Sequence, residues 1–452
     1  MSWPGRIVLS DSSPYYLQIA DAIEAAADAG RLRPGDRLPP QRALAQELDV
    51  DLTTVTRAYA EARRRGLLDA VTGRGSFIAA RPDLSAPAID LSMNIPPAPR
   101  GVSLADAIAR GVADIAARAN VDTLMSYHSG PGAPQDRAAA AVWLKPALGR
   151  IDDARIAVSP GAQTALAALL SLHAQAGDAV LAEPLCYPGL LLAVSRLGLK
   201  TVAVESDADG MRPDALERAA RGGARVVYLN PTIANPTAAT MPEARRRDIA
   251  AAAARHGLTI IEDDPCARLA EDAPPAFATV APAATWHVAT LSKCLTPGLR
   301  TAYVVAPDEE GARRFAAAMR AFALMPAPLM TALATFWIRR GDAETLLRGV
   351  REEAAARQAL ARDILPGARG ARNGLHLWLP LPTHWDRYGL IEAARAQGLG
   401  VTPSDEFRAD GAAPEAVRVS LGGVADRARL AAALKTLAAL VQGERRRVHD
   451  VV

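Results

Sequence analysis

The chain predicts a two-part protein: a small helical front module closed by a β-hairpin, then a large α/β domain with a mainly parallel sheet. Three observations carry this. Apolar runs beyond about residue 101 (Arg155-Ile-Ala-Val-Ser159, Ala179-Val-Leu-Ala182, Ala224-Arg-Val-Val-Tyr-Leu229, Leu258-Thr-Ile-Ile261, Thr301-Ala-Tyr-Val-Val-Ala306) are spaced by alanine-rich helical stretches. Such alternation makes parallel sheets with helices on both faces. Ahead of them, Pro82, Pro87, Pro96, Pro97 and Pro99 break periodicity over 81–100, as a linker and lead-in segment does. Finally, 452 residues, 50% of them hydrophobic, suffice for two or three domains and a large core.

Composition narrows the class. The opening Met1-Ser-Trp-Pro-Gly-Arg6 lacks the features of a signal peptide, and no apolar run reaches the ~18 residues of a membrane span. A cytoplasmic protein without membrane partners is expected. Cys186, Cys266 and Cys294 show neither metal-ligand spacing nor a disulfide framework, so no metal is expected. The net charge of +3 indicates little about partners.

The front module spans 1–80, and its residues 11–80 read as three helices and a hairpin. Charge is segregated: residues 1–30 hold one Arg against four acids, a net of −3, and residues 52–80 five Arg against two acids, a net of +3. In the basic part Asp51 is placed to cap a helix, with Val55, Ala58, Tyr59 and Ala62 at i, i+3, i+4, i+7 on its inward face. The opposite face carries Thr53, Thr56, Arg57 and Arg64. Hydroxyls and arginines there suit base edges and phosphates, although by itself the helix fits a solvated charged face equally well.

The order of signals is more specific. Gly30-Arg-Leu-Arg-Pro-Gly-Asp-Arg-Leu-Pro-Pro-Gln-Arg42, Leu44-Ala45, Val50 to Tyr59, Gly66-Leu-Leu68 and Gly73-Arg-Gly-Ser-Phe-Ile78 together resemble the winged helix-turn-helix of GntR-type repressors. The resemblance implies double-stranded DNA as partner, with Arg42 on phosphate, Thr53, Thr54, Thr56 and Arg57 at the groove, and Gly73, Arg74 and Gly75 at the wing tip. Leu52 stands where that family often has Arg, and could instead meet a thymine methyl.

In the large domain, residues just after the strands should converge, because sites in such sheets form at the strands' carboxyl ends. Ser159-Pro-Gly161-Ala162-Gln163 opens a helix whose N-terminus could hold a phosphate. Tyr187 offers an aromatic face, although a core tyrosine reads the same way. Asn235 could donate to a phenolate-like oxygen, and in Glu262-Asp263-Asp264-Pro265 one buried Asp could hold a protonated ring nitrogen. Then come Lys293, one of four lysines among 52 basic residues, and Arg300, suited to phosphate. Where nearly every positive charge is Arg, a retained Lys suggests that an amine is needed, since only Lys sheds its proton to attack an aldehyde.

Taken together, a phosphate cup, stacking ring, Asn, Asp, Lys and Arg are the parts that hold pyridoxal 5'-phosphate. The stretch from Ile89 to the end resembles the fold-type I aminotransferases, class I and II, nearest the aminoadipate and kynurenine aminotransferase branch. The motifs are Gly161-Ala-Gln163, Tyr187, Asn235-Pro-Thr237, Glu262-Asp-Asp-Pro265, Ser292-Lys293, Pro297-Gly-Leu-Arg300, Gly374-Leu-His-Leu-Trp-Leu379 and Val417-Arg-Val-Ser420. The resemblance implies a PLP-binding domain over 101–452 with a smaller C-terminal α+β subdomain from about 330. Lys293 would form the Schiff base, Asp263 pair with the ring nitrogen, and Asn235 contact the ring oxygen. Thr290 and Arg300 would bind the phosphate, Ser292 belong to the cofactor-binding set, Arg418 clamp a carboxylate, and Tyr127 reach the partner subunit's phosphate in a homodimer.

A winged helix followed by this domain resembles the MocR subfamily of GntR regulators. The function implied is a DNA-binding regulator that senses an amino acid or amine effector as an external aldimine displacing Lys293. An active aminotransferase carrying a DNA-binding module is the alternative. Two departures bear on that choice. Cys266 stands where the family has a tyrosine that bonds the ring oxygen, a thiol being a weak donor, and Ala238 replaces the glycine after Asn-Pro-Thr.

Overall fold

The computed structural model describes residue 7 and residues 9–10, 13–28, 31–32, 36–65, 67–71, 75–78 and 89–443. The chain divides into two compact units, Met1–Ala88 and Ile89–Val452. In the first, helices α1 (Tyr15–Asp28), α2 (Gln41–Leu48) and α3 (Leu52–Arg64) precede strands β1 (Leu68–Val71) and β2 (Gly75–Ile78), an antiparallel hairpin with Leu68 opposite Ile78. Helical spacing buries Val55, Ala58, Tyr59 and Ala62 of α3 against Ile19 and Ile23 of α1 and Leu44 of α2. Inside this core the Tyr59 hydroxyl donates to the Pro39 carbonyl at 2.7 Å. Asp51 takes the N-cap position in extended conformation, but its side chain makes no capping bond.

The charge segregation is partly spent internally. Arg65, next after α3, reaches Asp21 at 2.6 Å and Glu24 at 3.0 Å on α1, and Glu61 at 2.9 Å on its own helix. Gly73 and Arg74 of the expected wing tip, the side chain of Arg64 and linker residues 81–88 lie outside the described residues.

In the large unit, β3 (Ile89–Asp90) comes first. There follow β4 (Ile156–Ser159), β5 (Ala179–Ala182), β6 (Lys200–Ala203), the hairpin β7 (Ser206–Asp207) and β8 (Gly210–Met211), then β9 (Val226–Leu229), β10 (Thr259–Asp263), β11 (Thr285–Thr290) and β12 (Ala302–Val305). Seven of these form one sheet in the order β4-β12-β11-β10-β9-β5-β6. β12 runs antiparallel to both neighbours, whereas β6, β5, β9, β10 and β11 are mutually parallel. The last apolar run is thus the exception to the parallel expectation. Reversal brings the start of β12 beside the ends of β4 and β11: Ala302 is opposite both Ser159 and Thr290. Residues just before β12 therefore join those just after the parallel strands.

Both faces of the sheet are covered, which explains why the strands are apolar throughout rather than alternating. Val226, Tyr228, Ile261 and Val288 face one core, with helices Ala162–His173 and Glu309–Met319. Val227, Leu229 and Ile260 face another, with helices Pro213–Ala220 and Glu243–Arg255.

A second sheet, β13 (Arg369–Gly370), β14 (His376–Pro380), β17 (Ala416–Ser420) and β16 (Thr402–Pro403), forms the C-terminal subdomain, with β15 (Leu399–Gly400) pairing in parallel with β3. Its core includes Leu91 and runs from Ala361 to Ala438. Helix Pro328–Arg340, placed by sequence in this subdomain, instead buries Leu333, Trp337 and Ile338 in the core beside the large sheet. The large unit begins at Ile89 rather than 101, because residues 89–100 are hydrogen-bonded into it: Ile89 N–H to Gly398 O at 2.8 Å, Leu91 N–H to Gly400 O at 2.8 Å, and Arg100 N–H to Gly349 O at 3.1 Å.

Replacing Tyr59 with Phe leaves the buried Pro39 carbonyl without its donor. We expect a loss of about 1 kcal/mol, measured as faster native-state hydrogen exchange along α3.

Candidate functional site

The carboxyl ends of β4, β9, β10 and β11 open on a cavity of about 350 Å3, whose lining includes Ala162, Gln163, Tyr187, Asn235, Asp263, Cys266, Thr290, Ser292, Lys293, Arg300 and Arg418. Gly161 lies under Arg300: a Cβ at Gly161 would come 2.8 Å from the guanidinium, and its φ of +105° is one that L side chains rarely adopt. Tyr127 is 82% exposed and lies outside this cavity.

Strand alternation decides which acid faces the cavity. Asp263 shares the parity of Ile261 and meets Tyr228 on β9, whose hydroxyl donates to Asp263 Oδ2 at 2.7 Å. Glu262 points to the other face, where it accepts from Phe277 N–H and Ala278 N–H and contacts His287 Nδ1 at 2.8 Å. Asp264 is bonded by Thr232 Oγ1 at 2.8 Å and does not line the cavity. Among the described residues the buried Asp263 Oδ1 has no partner. Burial raises the Asp263 carboxyl to about 6, so a cationic N–H meeting Oδ1 would both satisfy it and favour its charged form.

Asn230 couples two of these groups. Its amide donates to the Asp263 carbonyl at 2.6 Å and its Oδ1 accepts from Asn235 N–H at 2.7 Å. Asn235 Oδ1 accepts from Arg418 Nη1 at 2.8 Å, leaving the Asn235 NH2 as the donor end. Arg418 also donates through Nη2 to the Ser92 carbonyl, lies 4.9 Å over the Phe407 ring, and keeps a buried Nε without a partner among the described residues. Lys293 Nζ donates to the Asn94 carbonyl, and burial lowers its pKa. Thr290 Oγ1 accepts from Ser292 N–H at 3.2 Å, which fixes the loop before Lys293. Burial pushes the Cys266 thiol well up, keeping it protonated. Ala238 has a φ of 59°, a left-handed conformation that accounts for glycine at this position in the resembling family.

Sequence reasoning missed Ser92, Asn94, Tyr228, Asn230 and His376. Tyr228 and Asn230 had a usable signal, a polar-tipped aromatic inside the end of an apolar strand and an Asn directly after that strand. Ser92 and Asn94 act partly through main-chain carbonyls, which no side-chain pattern marks.

On α3, Thr53 and Arg57 are exposed, Leu52 is 40% exposed and Thr54 half-buried; Arg42 is exposed on α2. The Arg57 guanidinium rests 4.3 Å from the Tyr16 ring centroid. Thr56 Oγ1 lies 2.8 Å from Gln41 Oε1 and 2.9 Å from Leu52 O. Its proton is used within the module, leaving it chiefly an acceptor.

The fold and cavity define a class of protein, that of the class I and II aminotransferase fold, here following a helix-turn-helix module in sequence. Residues 15–78 match the bacterial regulatory proteins of the gntR family, and residues 86–437 match aminotransferase class I and II. The chain belongs to both families in series, the arrangement of the MocR subfamily of GntR regulators. It is 29% identical to the uncharacterised HTH-type transcriptional regulator YdeF of Bacillus subtilis, over 98% of this chain and 95% of the relative. It is 31% identical to the vitamin B6 salvage pathway transcriptional repressor PtsJ of Salmonella typhimurium, over 81% of this chain and 85% of the relative. Among solved structures, the α-aminoadipate aminotransferase LysN of Thermus thermophilus, complexed with N-(5'-phosphopyridoxyl)-L-leucine, superimposes with a TM-score of 0.70 at 24% identity, over 85% of this chain and 98% of that one.

The Asp263 carboxyl titrates near 6 when folded, against roughly 3.9 unfolded. The folded state thus binds the extra proton, and this group's contribution is most favourable below pH ~4 and is lost as pH rises to about 6. We expect Asp263→Asn to flatten that fall in the cofactor-free protein, measured by urea unfolding at pH 4 to 7.

Proposed function

We propose that this protein is a DNA-binding transcriptional regulator that holds pyridoxal 5'-phosphate and senses an amino compound bearing a carboxylate. The observation that carries the reading is the buried, unpartnered Asp263 Oδ1 in one cavity with Lys293, Arg300 and Arg418. The gntR match at the front and the regulators among its relatives favour a sensor over a free-standing aminotransferase.

Bound in this cavity, the cofactor supplies an aldehyde carbon that captures amines and a ring that withdraws electrons from it. Gly161, Ala162, Gln163, Thr290, Ser292 and Arg300 would hold the phosphate, and Tyr187 the ring face. Asp263 would keep the ring nitrogen protonated, and the free Asn235 NH2 would donate to the ring oxygen. Desolvation enlarges the neutral fraction of Lys293, the form able to bond to the aldehyde. Arg418 would clamp the effector carboxylate. Cys266 offers only a weak donor near Lys293, which disfavours rapid proton transfer and suits a displaceable contact better than a fast enzyme. In a homodimer, Tyr127 would reach the phosphate of the partner subunit.

The relay has a physical basis in the same groups. Lys293 and Arg418 hold the carbonyls of Asn94 and Ser92, and that segment follows in sequence the residues joining the two units. Cofactor and effector would compete for those cations, and a signal results only if they bind one conformation of the segment more tightly than another.

The purified protein should show a visible cofactor band, and borohydride should label Lys293. Lys293→Ala should abolish both band and label; a wild-type chain without either sinks the reading, and steady keto-acid production from amino acids would make it an enzyme instead. Binding to DNA from upstream of its own gene should weaken steeply with salt. Arg42→Ala and Arg57→Ala should each reduce the salt slope by about one, and a salt-independent interaction would argue against groove binding.

A further inference from the structure

We infer that Asn94 selects effectors whose side chain carries a hydrogen-bond donor, such as a hydroxyl, amide or ammonium group, in addition to the amine and carboxylate. The inference rests on the sensor reading above and names its ligand class.

The argument begins at His376 on β14. The ring is buried and held neutral, its pKa lowered to about 3 by desolvation and then by the Arg418 charge. A neutral imidazole has one proton to place. Nε2 lies 3.3 Å from the Ala234 carbonyl, which can only accept, so the proton resides on Nε2 and Nδ1 presents a lone pair. Asn94 Nδ2, 3.2 Å from Nδ1, therefore donates to it. This fixes the amide: the nitrogen faces His376 and Oδ1 faces away.

Among the described residues the buried Asn94 Oδ1 has no partner, and Asn94 lines the cavity. Two other orphaned atoms border the same space. Asp263 Oδ1 suits the protonated ring nitrogen, and Arg418 Nε is a donor suited to a carboxylate. Asn94 Oδ1 is the acceptor that cofactor, amine and carboxylate leave unassigned. Its position indicates the missing group. The Asn94 carbonyl is bonded by Lys293, at the amine end, and the Ser92 carbonyl by Arg418, at the carboxylate end. An amino acid held at both ends therefore lies along this segment, and the Asn94 side chain lines the same cavity beside it. A site built to accept a hydrogen bond rejects isosteres that lack the donor, since its buried oxygen then stays unpaired.

The test uses the full-length, cofactor-loaded protein and two isosteric pairs, L-homoserine against L-norvaline and L-ornithine against L-norleucine, with affinities read from the visible band. The donor-bearing member of at least one pair should bind about ten-fold tighter or better. Asn94→Leu, similar in shape but without the acceptor, should bring both ratios to near one. Asn94→Asp should instead raise the preference for ornithine, which keeps the proposal testable should the Leu variant fail to fold. Equal affinities within both pairs would overturn the assignment of Asn94, leaving Oδ1 to solvent, as would discrimination that survives Asn94→Leu. A protein with its band on Lys293 but no response to any of the four compounds would refute the sensor reading as well.

Discussion

Two cations withdrawn from water, Lys293 and Arg418, are held by the backbone of one short segment, and much of the large unit follows from that arrangement. A buried ammonium or guanidinium is tolerated only with partners. The carbonyls of Asn94 and Ser92 provide them, so residues 89–95 must thread through the C-terminal subdomain. Leu91 is fully buried in that subdomain's core and Ile89 pairs with Leu399. Gly422 makes the passage possible: a Cβ there would lie 1.8 Å from the Ile95 carbonyl. The lead-in is thereby a wall of the site and not merely a tether.

Strand geometry distributes the neighbouring charges. Consecutive residues on β10 face opposite sides, so Glu262 is committed to His287 and two backbone amides, whereas Asp263 reaches the cavity with one oxygen to spare. Three adjacent acids thus have different tasks through backbone alternation and register with Tyr228 on β9. Reversal of β12 completes the set by delivering Arg300 to the edge occupied by Thr290 and Gly161.

In the front unit the inward face of α3 was readable because helical spacing alone assigns it, and Val55, Ala58, Tyr59 and Ala62 are buried accordingly. The polar side chains on α3 and just after it were less so. Arg65 is occupied by Asp21, Glu24 and Glu61, and Thr56 by Gln41 and Leu52. Neither pairing follows local spacing alone, since Asp21, Glu24 and Gln41 come from other helices.

By itself the sequence determined what period, composition and rare residue types encode: two units, strands buried on both faces, a lysine kept in an arginine-rich chain, and the order of groups ending the strands. The tertiary structure alone decided which of those groups share a cavity and which atoms stay unpaired. The main-chain carbonyls of Ser92 and Asn94, the tautomer of His376 and the spare oxygens of Asp263 and Asn94 depend on contacts between residues up to 326 positions apart. Hydrogen-bond satisfaction is a property of the packed chain, and no local pattern of residues records it.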